Sequence, residues 1–364
     1  MKKFFAALFI FSFFIIPNAQ AARPVIRIVD KPHTNFDGSF RDNELAVSLL
    51  PNGKLGKLIF GTNSAHNTFV IDAALVDEVA QMAKGYPFAG KEDLDGQRAA
   101  QNWLFRLKNA AIYNNVVALP YRNPDEKVLK SVAPSELTFY SRYAQAHLEV
   151  LLGRTVTTES GWGSGTAQIS RKIRNNYAQD RRLITGLTTI TSSVEVENLR
   201  AQLALVLSPL LSSEERSFFS REELSAVSKI SDRLKVIPGR YQITSRSAKL
   251  PITLVNNFDT PTVVSVSLTP MNSRVQIDNL KPITIAAKSR QQILLPVSVI
   301  APGSTIVLAQ LMNSRGQLVG QVSNLTITST IIDSRVAWFT TGAAVLLFMG
   351  AVTQSVRRVR RSRS

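Results

Sequence analysis

Residues 249–270 read KLPITLVNNFDTPTVVSVSLTP. Leu250, Ile252 and Leu254 alternate with polar or turn residues, and so do Val264, Val266 and Leu268. Period two is the signature of a strand with one buried face. The intervening NNFDTP is rich in residues that favour turns, so the stretch predicts two antiparallel strands joined by a reversal. The pattern recurs downstream in KPITIAAKS, RQQILLPVSVI, STIVLAQLMN and QVSNLTITST, parted by AAKSRQ and NSRG. Six or seven such strands in roughly ninety residues predict an immunoglobulin-like β-sandwich over residues 238–332. The chain has no cysteine, so this domain lacks the disulfide of antibody domains, and the exported part has no thiol chemistry.

Immediately after the last strand, Val336 to Val352 is free of charge, with Trp338 near one edge and Arg357, Arg358, Arg360, Arg361 and Arg363 beyond the other. About 20 apolar residues cross a bilayer as a helix. An aromatic ring favours the interface, and a Lys/Arg-rich flank stays cytoplasmic. Residues 333–356 therefore read as a transmembrane helix and 357–364 as a cytoplasmic basic tail that can hold anionic lipid headgroups. At the other end, MKKFFAALFIFSFFIIPNAQA carries two lysines, a short apolar core, Pro17 and an Ala-x-Ala site. Residues 1–21 read as a secretory signal peptide. The net charge is +17, but seven of the bases sit in these two acid-free ends. The remainder is only mildly basic, which speaks against nucleic acid as a partner. The two ends agree on a single-pass cell-membrane protein, with the bulk outside the cytoplasm and the C-terminus inside.

Upstream of the sandwich the periodicity becomes helical. Val196, Leu199, Leu203, Val206, Leu207 and Leu210 make one stripe. Ser220 and Glu223 fit a capping box for a second helix carrying Leu224, Val227 and Leu234 and ending at Pro238-Gly239. Residues 194–237 thus predict a helical hairpin. In 67–193, short apolar strands (Phe69–Ile71, Val116–Leu119) alternate with helices bearing Leu75, Val79 and Met82, then Trp103, Leu107 and Ala111, then Leu137, Tyr140, Ala144, Leu148 and Leu151. That alternation predicts an abridged, barrel-like α/β module with too few units for eight-fold closure. Residues 22–66 form an N-terminal extension. The fold class is α+β multidomain.

Chemistry is sparse. His33, His66 and His147 have no helical partner at metal-binding spacing, so no metal or cofactor is indicated. TTESGWGSGTAQ (157–168) is Gly-rich but lacks the Lys-Ser/Thr of a P-loop and reads as a connector. Ser164 stands in no nucleophile elbow. Asp72, at a strand end, is a weak catalytic candidate whose plainer role is to cap the following helix. Tyr121, Arg122 and Asn123 follow the second strand and are candidates to line a ligand cleft.

FRDNELAVSLLPNGKLGKLIF, VIDAALVDEVAQMAKGY, WLFRLKNAAIYNNVVALPYRNPD and the block from KLPITLVNNFDTPTVVSVSLTP to the terminal arginines resemble an uncharacterised family of membrane-anchored actinobacterial envelope proteins. Its members are often encoded beside the lipid II flippase. The resemblance covers nearly all of the chain after residue 36 and implies an extra N-terminal β-domain and a fuller deacetylase-like barrel, both abridged here. It transfers no functional residue. It implies a binding or scaffolding role, without catalysis, in cell-wall assembly, with cell-wall proteins or glycans as partners. The alternative is an envelope carbohydrate hydrolase or deacetylase-like enzyme using carboxylates such as Asp72.

Overall fold

The computed structural model describes residues 23–62, 66–88, 90–278, 280–330 and 334–361. Residues 1–21, read from the sequence as a signal peptide, and Arg363 lie outside the described residues. The chain forms two units with interleaved segments. The first comprises Met1–Val29, Asn43–Leu119 and Gln145–Trp162. The second comprises Asp30–Asp42, Pro120–Ala144 and Gly163–Ser364.

The first unit runs β1 (Val25–Ile28), α1 (Glu44–Leu49), α2 (Lys54–Phe60), β2 (Thr68–Ile71), α3 (Ala73–Ala83), the two-residue strands β3 (Pro87–Phe88) and β4 (Lys91–Glu92), α4 (Leu94–Ile112) and β5 (Asn115–Ala118). Its parallel sheet has the order β1-β2-β5. All four residues of β2 are buried, as a central parallel strand requires. The third strand, β1, is supplied by the N-terminal extension. Its sequence VIRI carries an arginine in the run, and that hides it from a search for apolar strands. Trp103 of α4 is fully buried and its indole N–H donates to the Leu55 carbonyl at 3.0 Å. That bond satisfies the one polar atom of the largest side chain in this core. In the Gly-rich segment, Trp162 packs against Val70, Val117 and Leu119, and its carbonyl accepts from the Arg27 guanidinium at 2.6 Å.

The second unit takes α5 (Glu126–Val132), the first part of α6 (Pro134–Leu152), α7 (Arg171–Leu187), α8 (Val194–Gln202), a 3-10 turn (Leu203–Leu207) and α9 (Ser213–Ser231). Residues 194–237, expected as a helical hairpin, hold α8, the 3-10 turn, α9 and a short strand. The apolar stripe from Val196 leaves the α-helix at Gln202 and continues as 3-10 to Leu207, so that its last member, Leu210, lies beyond Pro209 and outside both helices. Between residues 212 and 223 Ser-x-x-Glu occurs twice, and the capping box forms at Ser212/Glu215. Ser220 and Glu223 lie inside α9, both buried. No helix breaker separates the two pairs, so the first one starts the helix.

Leu234 belongs to a strand, not to that helix. The sandwich consists of β6 (Leu234–Val236), β7 (Gly239–Ile243), β8 (Ser247–Asn256), β9 (Thr262–Pro270), β10 (Val275–Ile277), β11 (Ile283–Ile285), β12 (Ser289–Val299), β13 (Gly303–Met312) and β14 (Leu318–Ser329). One sheet is ordered β10-β12-β8-β6 and the other β11-β9-β13-β14-β7. By position these match the A-B-E-D and C-F-G sheets of the immunoglobulin plan. The parallel pairing of β7 with β14 closes the second sheet at one edge. Leu254, Ile285, Leu295, Val307, Leu325 and Ile327 are among its buried residues.

The end of the sandwich that carries the 256–261 and 313–317 loops is held to the helices of its own unit. Asn313 Nδ2 donates to Thr189 Oγ1 at 2.9 Å, and the Asn257 N–H donates to the Arg233 carbonyl at 2.8 Å. A Cβ on Gly186 of α7 would lie 2.9 Å from Val319. After β14 the last described element is α10 (Ser334–Arg361). Among the described residues no helix is long and apolar enough to cross a membrane.

Candidate functional site

Asp72 occupies the N-cap of α3, and its carboxylate accepts from the Ala74 N–H at 3.0 Å. Its side chain is committed to the helix start, where the backbone N–H groups need acceptors. Tyr121, Arg122 and Asn123 are all buried. Arg122 and Asn123 have φ of 62° and 48°. Asn123 Nδ2 donates to Ser164 Oγ at 2.6 Å, and Tyr121 meets Tyr143 edge to face. These three residues fasten a left-handed turn and line neither of the clefts below. His147 pairs with Asp77 at 2.9 Å. His33 is buried, with Asp42 at 3.2 Å and Asp30 at 3.9 Å. Among the described residues no group of three His, Cys, Asp or Glu is placed to hold a metal ion.

An open cleft of about 830 Å³ lies in the second unit. α8 contributes Glu195, Asn198 and Gln202, α9 contributes Glu222, Ser225 and Lys229, and Asp37 and Asp259 come from loops. Ser39 donates to Asp37 from both its hydroxyl and its backbone N–H, and holds that carboxyl below its ordinary range. That is the reverse of what a general acid needs. Glu195 is paired with Arg233 at 2.5 Å. The wall of this cleft is polar and mostly acidic. A smaller groove of about 260 Å³ in the first unit is lined chiefly by Leu49, Leu50, Pro51, Phe60 and Phe105.

Behind the cleft, the opposite face of α9 carries the most perturbed groups. Glu223 is fully buried, and neither carboxyl oxygen has a hydrogen-bond partner. Burial, then the charge of Asp180, pushes its carboxyl well up. Asp180 on α7 is also buried, its Oδ2 is unpartnered, and burial raises it to about 6. Nearby, Tyr140 and Tyr177 share a hydroxyl hydrogen bond of 3.0 Å, and burial raises both phenols. Glu136 is clamped by Arg200 through two bonds of 2.9 Å, and that guanidinium lies 3.9 Å from the Phe139 ring centroid. Two carboxyls with raised pKa resemble an acid–base pair. Neither lines a described cleft, so substrate has no described route to them.

The structure thus defines a mixed α/β protein with an immunoglobulin-like sandwich and an open polar cleft. Residues 135–364 match a family of unknown function, DUF6049, and the chain belongs to that family. Comparison with curated proteins finds no match. Among solved structures, the chain is similar to Salmonella alpha-2-macroglobulin reacted with methylamine, at 17% identity over 27% of this chain and 7% of that one, TM-score 0.22. It is also similar to native Escherichia coli alpha-2-macroglobulin from domain MG7 to the C-terminus, at 16% identity over 27% and 16%, TM-score 0.22. A third is WR4, a C. elegans MSP family member, at 10% identity over 27% and 99%, TM-score 0.21. The chain spans only a small part of either macroglobulin's length. At these TM-scores the likenesses carry no argument, and the sandwich assignment rests on its own strand order.

Proposed function

We propose that this is a single-pass envelope protein, anchored by α10 with its bulk outside the cytoplasm, that binds or scaffolds components of cell-wall assembly without catalysing a reaction. The observation that carries the reading is α10 itself. Val345, Leu346, Leu347, Phe348 and Met349 are consecutive and all more than half exposed, as are Trp338 and Phe339. Five successive residues cover every face of a helix, so no partner on one side could bury them, whereas lipid surrounds a helix completely. The contiguous described side chains of this segment run only from 341 to 355. The sequence from Val336 to Val356 and the arginines behind it supply the rest of the span. Of those arginines, Arg358 is exposed, in keeping with a tail held at anionic headgroups. The cleft between α8 and α9 then faces the envelope as a site for a glycan or a protein segment. The link to the lipid II flippase rests on the family resemblance alone.

The test is a pair of fusions after Ser364. A reporter active only in the cytoplasm is expected to work there, and one active only outside is expected to be silent. The opposite result would sink the topology. The enzyme alternative would need two ionisable groups converging in the cleft, and Asp37, held below its ordinary range, speaks against it.

A further inference from the structure

The two ends of the sandwich differ in what covers them. One end is tied to α7 and the segment after α9, as described above. The strand register fixes which loops lie at the other end. Gly303 pairs with Ser329, Ser329 with Ile243, and Val275 with Val299. The connections β7–β8, β9–β10 and β12–β13 therefore gather where β14 finishes. Further bonds hold them together there. The single Ser329 hydroxyl proton is within reach of the Ala301 and Gly303 carbonyls, each 3.2 Å from Oγ, while Ile300 N–H donates to the Arg274 carbonyl and Val299 N–H to the Arg246 carbonyl.

The composition of this end is unusual. Residues 244–247, 271–274 and 300–303 contain two arginines and no acid. Met271 is 64% exposed and Ile300 65% exposed, while Arg246 and Arg274 are exposed beside them. Arg274 Nη1 donates to the Pro302 carbonyl at 3.0 Å, lying across Gly303, where a Cβ would fall 1.7 Å from that nitrogen. Gly303, with φ of 125°, leaves the room for it. Exposed apolar side chains interleaved with cations suit an anionic lipid interface, where the former enter the acyl boundary and the latter meet phosphate.

We propose that this end of the sandwich rests on the outer surface of an anionic bilayer, with Met271 and Ile300 inserted and Arg246 and Arg274 on headgroup phosphates. The inference rests on the reading of α10 as a membrane anchor and adds a second, peripheral contact to it. Tether length keeps this end of the sandwich close to the bilayer that α10 spans. From Thr330, whose N–H is bonded to the Ile243 carbonyl, to the first residue of α10 is four steps of chain, at most about 14 Å. The headgroup layer on one side of a bilayer is itself roughly 5–8 Å deep. The three loops cannot leave the surface by more than a short distance while α10 spans it.

The absence of cysteine permits a direct test with the full chain. Met271→Cys, Ser314→Cys and Val345→Cys are each labelled with an environment-sensitive fluorophore. They are then reconstituted in phosphatidylcholine–phosphatidylglycerol vesicles carrying spin-labelled lipid as quencher. Ser314 is exposed at the opposite end of the sandwich. The expected result is strong loss of fluorescence at 345, clear loss with a blue shift at 271, and little change at 314. Adding Arg246→Ser and Arg274→Ser to the Met271→Cys chain should reverse much of the loss at 271. Quenching at 345 with 271 behaving like 314 overturns this inference and leaves the anchor standing. No quenching at 345 overturns both. A label at 271 shielded from lipid quencher and from aqueous iodide alike means that protein covers this end, and also overturns the proposal. If the double arginine substitution changes nothing, the assignment to anionic headgroups fails.

Discussion

Glu136 and Glu223 are the same side chain, buried to within one per cent of each other in the same unit. One has a guanidinium across two 2.9 Å bonds, and the other has no hydrogen-bond partner at all. Removing a carboxylate from water is costly, and the cost is offset either by a fixed countercharge or by keeping the proton. Glu136 takes the first course. Glu223 takes the second, with Asp180 beside it reinforcing the choice. Burial alone therefore does not decide how an acid is accommodated in this protein. The partner does.

The sharpest way to break the comparison is to take the partner from Glu136. Arg200→Met should leave a buried carboxylate uncompensated and cost about 3–5 kcal/mol in a denaturant melt. A cost under about 1 kcal/mol, the range of an exposed pair, would mean that the clamp contributes little. The unpaired acids should behave in the opposite sense. Because the folded protein holds their protons more tightly than the unfolded chain does, stability is fullest in acid. For Asp180 it is lost as pH rises from the ordinary value of 3.8 through about 6. Asp180→Asn and Glu223→Gln should each flatten that slope and, at pH 8, stabilise by on the order of 1–3 kcal/mol. Melts from pH 4 to pH 8 that show no slope in the parent chain would remove the distinction. The smallest effect should fall on Asp72, a buried acid satisfied by backbone N–H instead of by arginine. Asp72→Ala should cost about 0.5–2 kcal/mol and Asp72→Asn little, since an amide oxygen accepts the same bond. If Asp72→Asn melts like the parent yet abolishes the cellular phenotype, the carbohydrate-enzyme alternative moves ahead.

Strands with clean alternation were legible in the sequence. Those from Ser247 onward fall within a few residues of the observed β8, β9, β12, β13 and β14. The pair Asp180/Glu223 was not legible, for a specific reason. Ile173, Tyr177, Asp180, Ile184 and Leu187 form the buried stripe of α7, and the charged residue in its middle breaks the apolar period by which a helix is recognised. Glu223 was concealed differently. It completes a Ser-x-x-Glu pattern with Ser220, which reads as a surface cap. Only the full length of α9 shows that the cap is formed by Ser212 and Glu215. His33 was hidden by long-range geometry, since its partner Asp42 lies across a loop. In each case a polar residue does in the core what sequence patterns assign to the surface.

The route by which β14 leaves the sandwich has a mechanical consequence. Along much of its length the strand is bonded to β13 on one side, and toward its C-terminal end also to β7 on the other. In sequence, α10 follows its C-terminal end. If α10 is held in a bilayer and the distal parts are pulled away, the load runs along the strand axis and crosswise to its hydrogen bonds. Those bonds would then be strained together rather than opened one after another, as in a hairpin peeled from its end. The sandwich would yield at high force and over a short extension. A single-molecule pull through the C-terminus that opened it gradually at low force would contradict this geometry.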